Sequence, residues 1–271
     1  QNTALGSYAG ICNQTAVENT ALGYGAMYAN VASCNTAVGS RALCYNTTGQ
    51  DNVAMGYNTL GTSVTGSNNV AIGLEALFKS NAADNTAVGS SALRCNLGGC
   101  LNSSFGACAL YYNTEGGKNT AMGWRALHCN TTGYNNTGLG FCALHCVTTG
   151  YGNVGVGSCA LRGAGAITGY GNVGIGYCAG RNLVDGVNNI LLGQTAGGSL
   201  TTAGNNVAIG GQSMTMSTAG GNVAVGYGTL KTNITGSNLV AIGAEALCKN
   251  NAYDNIAIGY VASQCNIIGV S

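Results

Sequence analysis

The sequence predicts an all-β fold, a parallel β-solenoid of about sixteen coils, and three observations carry that expectation. The segment Asn35-Thr36-Ala37-Val38-Gly39, followed by Ser40-Arg41-Ala42-Leu43 and then Asn46-Thr47-Thr48-Gly49, recurs in close copies along the chain. The copies are spaced sixteen or seventeen residues apart, with one interval of nineteen between Asn153 and Asn172. Glycine, 46 of 271 residues, falls at fixed places in the repeat, and proline is absent. A short fixed period of this kind marks a solenoid, because no unit can bury its apolar face alone and each must stack on the next.

Counting from the anchor Asn as position zero, each unit is read in order. Position one is Thr, Ser, Val or Ile, and position three is always a large apolar residue, from Leu5 to Ile258. Residues two apart share a face of a strand, so positions one and three predict a short strand with position three pointing inward. Position two is mostly Ala or Gly and should point the other way. A solvent-facing column would carry longer polar residues, so the small residues Ala37, Ala54, Ala71, Gly138, Gly155 and Gly174 predict a lateral packing column against a neighbouring chain. Position four is Gly in all sixteen units, as a corner closed to any Cβ requires. An apolar pair at positions seven and eight, such as Ala42-Leu43, predicts a second strand, and a polar turn returns the chain to the next anchor. The anchor amides, one coil apart, are placed to hydrogen-bond in a ladder along the axis and to satisfy turn carbonyls.

The whole chain, 1–271, therefore reads as one continuous solenoid domain. A longer repeat lies over the short one: Asn52 to Leu93 matches Asn222 to Ser263 at an offset of 170 residues, which is ten coils. Such a block match points to growth by duplication. No amphipathic capping helix or polar terminal unit stands out at either end, so Gln1, Asn2, Gly269, Val270 and Ser271 are expected to form an end-to-end interface between copies.

At this point the units NTAVGxxAL…NTTG and NVAIG resemble the head repeats of trimeric autotransporter adhesins and the related repeats of phage and viral tail fibres. The similarity covers essentially the whole chain. It implies a left-handed parallel β-roll, a homotrimer of rolls, and surface attachment as the task.

Charge narrows the partners. Only 6% of residues are charged and the formal net charge is +1, so electrostatic binding to nucleic acid or an anionic membrane is not expected. No stretch approaches the roughly 18 unbroken apolar residues of a membrane helix, and direct membrane insertion is not expected either. The expected partners are copies of the chain itself, with glycans or a cell-surface receptor for an adhesin-like role.

The side chains that carry chemistry give little toward catalysis. The four Asp and four Glu are scattered over many units, where a polysaccharide-cleaving solenoid needs a carboxylate cluster. No catalytic residue, cofactor or metal is predicted, although His128-Cys129 and His145-Cys146 repeat at equivalent positions as a zinc-like ligand set. Cys108, Cys142, Cys159 and Cys178 share position six, and Cys129 and Cys146 share position ten. Stacking at about 4.8 Å leaves two readings open for these columns, disulfides or small buried thiols. The sequon residues Asn13, Asn46, Asn130 and Asn233 share position eleven, a polar corner that would carry a row of N-glycans in a eukaryotic source and otherwise simply forms turns. The aromatic residues Tyr57, Trp124, Phe141 and Tyr227 at position five are candidates for stacking on sugars.

These features together lead to a non-enzymatic structural subunit or segment of an extracellular filament or surface fibre. The alternative is a homotrimeric receptor- or glycan-binding adhesin head or viral tail-fibre segment.

Overall fold

The computed structural model describes residues 1–12 and 15–264 and is an all-β, parallel β-solenoid. The chain divides into two compact units, Gln1–Asn135 and Asn136–Ser271. The first contains β1 (Thr3–Leu5), β2 (Thr20–Leu22), β3 (Thr36–Val38), β4 (Val53–Met55), β5 (Val70–Ile72), β6 (Thr86–Val88), β7 (Ser103–Phe105) and β8 (Thr120–Met122). The second contains β9 (Thr137–Leu139), β10 (Val154–Val156), β11 (Val173–Ile175), β12 (Ile190–Leu192), β13 (Val207–Ile209), β14 (Val223–Val225), β15 (Val240–Ile242) and β16 (Ile256–Ile258).

Within each unit every strand pairs in parallel with its sequence neighbour, without offset. Ala37 stands beside Ala54 and Ala54 beside Ala71, as Gly138 stands beside Gly155 and Gly155 beside Gly174. Equivalent residues of successive coils therefore form straight columns.

The facing of these columns reverses the sequence expectation. The middle residue of the strand points into the coil: Ala37, Ala54 and Ala71 are fully buried within the single chain, and Gly138, Gly155 and Gly174 are buried as well. They form no lateral packing column. The reason is the thinness of the coil. Position eight, Leu in most coils, crosses the interior and meets position two, so a Cβ built on Gly155 would lie 3.0 Å from Leu144 Cγ and one on Gly174 only 2.6 Å from Leu161 Cγ. The small column is the core partner of the Leu column. Positions one and three point outward, which leaves Leu22, Met55, Ile72, Phe105, Met122, Ile175, Ile209 and Ile242 exposed.

A second correction concerns the other side of the coil. Among the described residues it holds no second strand. The segment through positions seven and eight is a turn, because non-glycine residues at positions six and eight take positive φ, as at Arg41 (57°) and Leu43 (50°). That left-handed bend sends both Ala42 and Leu43 inward, where a strand would split them between faces. Coil-to-coil hydrogen bonds continue all the same: the amides of Leu43 and Leu77 donate to the carbonyls of Thr59 and Ala92 at 2.9 and 3.0 Å.

The anchor ladder forms. The backbone amides of Asn69, Asn85 and Asn102 donate to the side-chain oxygens of Asn52, Asn69 and Asn85 at 2.9, 3.0 and 3.0 Å. The side-chain amides close turns, as where Asn52 Nδ2 donates to the Gly66 carbonyl at 2.8 Å. These contacts satisfy polar groups that burial would otherwise leave unpaired.

Candidate interaction surfaces

Position eleven holds the third correction. Asn46, Asn130 and Asn233 are fully buried instead of lining a solvent corner. Asn46 Nδ2 donates to Asn30 Oδ1 at 2.7 Å and to the Gly49 carbonyl at 2.6 Å. Asn130 Nδ2 donates to Asn113 Oδ1 at 2.6 Å, and Asn233 Nδ2 donates to the Gly236 carbonyl at 2.7 Å. The nitrogen that a glycan would occupy is therefore spent inside the coil. A polar turn of the type Asn-Thr-Thr-Gly needs such an internal amide, and the sequence pattern alone does not separate that use from a glycan acceptor. Asn13 lies outside the described residues.

Within the second unit the register places Cys142, Cys159 and Cys178 in successive coils at the same position. Cys108 and Cys159 are half-buried and Cys178 is buried, all three as thiols; Cys142 is buried, and Cys129 and Cys146 are half-buried. The histidines make local contacts: His128 Nδ1 lies 2.9 Å from the Cys108 carbonyl oxygen, and His145 Nδ1 lies 3.4 Å from Cys146 Sγ. Among the described residues no group of three or more His, Cys, Asp or Glu side chains is placed to hold a metal. Glu75 is engaged in an ion pair with Arg94 at 2.7 Å.

Two surfaces stand out. The first is the outer face of the strands. In the second unit it is apolar at nearly every place, since Val173, Ile190, Val207, Val223 and Val240 at position one alternate with Ile175, Leu192, Ile209, Val225 and Ile242 at position three. In the first unit position one is more often Thr or Ser. Contiguous exposed apolar surface of this kind marks a contact site.

The second is a recess of about 580 Å³ in the first unit, bordered by Tyr8, Tyr24, Tyr28, Arg41, Cys44, Tyr45, Asn58, Thr62 and Phe78. Its origin is a pair of glycines whose neighbours in their columns carry side chains. Gly25 follows Tyr8 and precedes Arg41 at position six, while Gly61 follows Cys44 and precedes Phe78 at position nine. One wall is fixed by edge-on ring contacts of Tyr8 with Tyr24 and with Tyr28, at 5.7 and 6.4 Å between centroids. The other wall, Phe78, is held by the Arg94 guanidinium 5.3 Å above its ring, and Arg94 in turn lies 5.7 Å from the Tyr111 ring. Burial pushes the Cys44 thiol pKa up, against the opposing influence of Arg41 and of a backbone hydrogen bond with Tyr28.

The aromatic residues singled out in the sequence lie elsewhere. Tyr57, Trp124, Phe141 and Tyr227 are exposed, but none of them lines this recess. The signal that would have found it is absence of side chain, at Gly25 next to Tyr8 and at Gly61 next to Phe78 in their columns. A smaller recess in the second unit, about 130 Å³, is bordered by Cys178, Arg181, Asn182, Thr195 and Thr215 and has no aromatic wall.

Fold and surfaces together define a β-solenoid repeat protein. Comparison with protein-family models, with curated proteins and with solved structures returns no match.

Proposed function

We propose that this chain is a non-enzymatic structural subunit or segment of an extracellular filament or surface fibre, in which copies assemble by stacking coils end to end. The observation that carries this reading is the zero-offset register. Successive coils meet in the same register through three strand residues, and anchor Asn residues offer their side-chain oxygen to the backbone amide of the next coil, so a coil of one copy is a template for a coil of the next. Asn2 already acts in this way, accepting the amide of Asn19 at 2.9 Å, and Gln1 and Asn2 are exposed. The proposed partners of these two residues, Gly269, Val270 and Ser271, lie outside the described residues.

Lateral association is assigned to the outer strand face instead of the Ala column. Burying the alternating Val, Ile and Leu residues against a second copy removes apolar surface from water at about 25 cal/mol per Å².

A second reading is favoured by one observation, the tyrosine-walled recess: a homotrimeric receptor- or glycan-binding adhesin head or tail-fibre segment, at a cell or virion surface. Electron microscopy of the purified protein over a range of concentrations separates the two. Filaments that lengthen with concentration and repeat at the coil spacing support the fibre subunit. Discrete rods of three chains support the second reading, and a monomer at every concentration overturns both forms of assembly.

A further inference from the structure

The recess of the first unit offers a ligand three chemical features at once: aromatic walls, one cation, and neutral hydrogen-bonding groups. Deepening the ligand-binding reading, on which it rests, we infer that this recess binds a short carboxylate-bearing oligosaccharide, a glycan that contains a uronic or sialic acid.

The walls set the shape. Tyr28 and Phe78 occupy position nine three coils apart, which places them about 14 Å from each other at the usual spacing of stacked strands. Between them stand only Cys44 and Gly61, so the slot is open to a ring that lies against the aromatic faces. Sugar rings present apolar C–H faces that suit such walls, and their hydroxyls need partners at the rim. Asn58 and Thr62 stand at that rim; Thr62 Oγ1 donates to the Phe78 carbonyl at 2.8 Å and keeps its lone pairs for a ligand hydroxyl. A volume of about 580 Å³ falls in the range of small-molecule sites, roughly 300–1,000 Å³.

The charge sets the class. Among the described residues Arg41 is the one charged residue bordering the recess, and no carboxylate borders it. Its guanidinium makes no ion pair among the described residues and is exposed at the mouth. Arginine offers a planar fork of N–H donors that matches a carboxylate in a two-point contact. A neutral glycan would leave that donor set to water, whereas an acidic one engages it. The recess of the second unit also has an arginine, Arg181, but has no ring to stack on, so binding is assigned to the first unit alone.

The test is calorimetric titration of the whole chain with a tetrasaccharide of alternating glucuronate and N-acetylglucosamine, with its carboxyl-reduced counterpart, and with a sialylated trisaccharide. At least one acidic probe is expected to bind, and the carboxyl-reduced probe to bind at least about tenfold more weakly than its acidic parent. Arg41→Gln is expected to erase that difference, and Tyr45→Ala to weaken acidic and reduced probes alike; both side chains are exposed, so the coil is retained. Equal binding of the acidic and reduced tetrasaccharides, insensitive to Arg41→Gln but lost in Tyr45→Ala, overturns the carboxylate assignment and leaves a neutral-glycan site standing. Binding that neither substitution alters places the ligand elsewhere and overturns the recess as the site. No binding of any probe, on these or on a wider glycan array, overturns this inference and the glycan-binding reading together.

Discussion

Asn52 Oδ1 accepts the backbone amide of Asn69 at 2.9 Å, across seventeen residues of sequence and a single step of the stack. Asn69 repeats the arrangement with Asn85 at 3.0 Å, and its own Nδ2 donates to the Ala82 carbonyl at 2.9 Å. One side chain thus serves the next coil with its oxygen and a turn with its nitrogen. Asn69→Ala removes both partners and leaves the Asn85 amide and the Ala82 carbonyl buried without replacement. The expected loss is about 3 kcal/mol of unfolding free energy, measured by urea titration, since each orphaned group costs roughly 1–3 kcal/mol. A loss under about 0.5 kcal/mol would mean that the ladder is not a source of stability.

The position-four glycines stand under a different constraint. Gly89 has φ +135°, and a Cβ built there would lie 2.6 Å from the carbonyl carbon of Gly106 in the next coil. Neither the backbone angle nor the neighbouring backbone can give way cheaply. Gly89→Ala should therefore destabilise by about 3 kcal/mol or more, combining a strained φ with a backbone clash. Gly165 is the control, because a Cβ there meets nothing within 4 Å. Gly165→Ala should stay within about 0.5 kcal/mol of the parent in the same titration.

The period, the strand positions, the glycine corner and the anchor ladder were all legible in the sequence, because each rests on a residue type repeated at one place. The facing of the strand was not. Alternation shows that Ala54 opposes Val53 and Met55, but not which side is the inside, and large apolar residues usually mark the core. Here the core is supplied from across the coil by Leu60 and its equivalents, and the interior opposite them has room only for a small residue; where position eight is Gly, at Gly180 and Gly197, Leu191 fills the space instead. The second strand failed for a related reason. Leu43 and Leu77 adopt a left-handed backbone, φ 50° for each, that no propensity of Leu announces. The recess depended on what Gly25 and Gly61 lack, which a search for functional side chains passes over.

Left-handed residues also give a way to stabilise the protein. Leu101 precedes the anchor Asn102, holds φ 61°, and is 53% exposed. The equivalent residues Asn68, Asp84 and Asn188 are of the types that tolerate this backbone, with φ 57°, 59° and 55°. Leu101→Asn should relieve the strain with little loss of packing and raise stability by about 1 kcal/mol. Thermal unfolding of the two proteins side by side checks it, and a lower melting temperature for the variant would refute it.

Glycosylation and the folded coil exclude each other at the inner sequons. Asn46, Asn130 and Asn233 each commit Nδ2 to buried hydrogen bonds, and a glycan on any of them would have to displace the turn that the side chain closes. Folded protein secreted from a glycosylating host should carry no glycan at these three positions. Peptide mass mapping reads this directly; a well-folded fraction modified at Asn46 would contradict the buried geometry.

The outer strand face separates stability from assembly. Ile209 and Val225 point away from the coil, whereas Leu230 is fully buried within it. Leu230→Ala should cost about 2–5 kcal/mol in unfolding free energy, as a cavity in a closed interior does. Ile209→Asp leaves the interior alone and should change the stability of the isolated chain by only about 0.5 kcal/mol. In a lateral interface, however, it would bury a carboxylate without a partner, a cost of several kcal/mol that no close-packed assembly absorbs. The expected outcome is therefore a variant with nearly unchanged denaturation that no longer associates side by side in sedimentation velocity. If Ile209→Asp assembles as the parent does, the outer face is not the lateral contact, and the apolar row from β9 to β16 would need a different occupant.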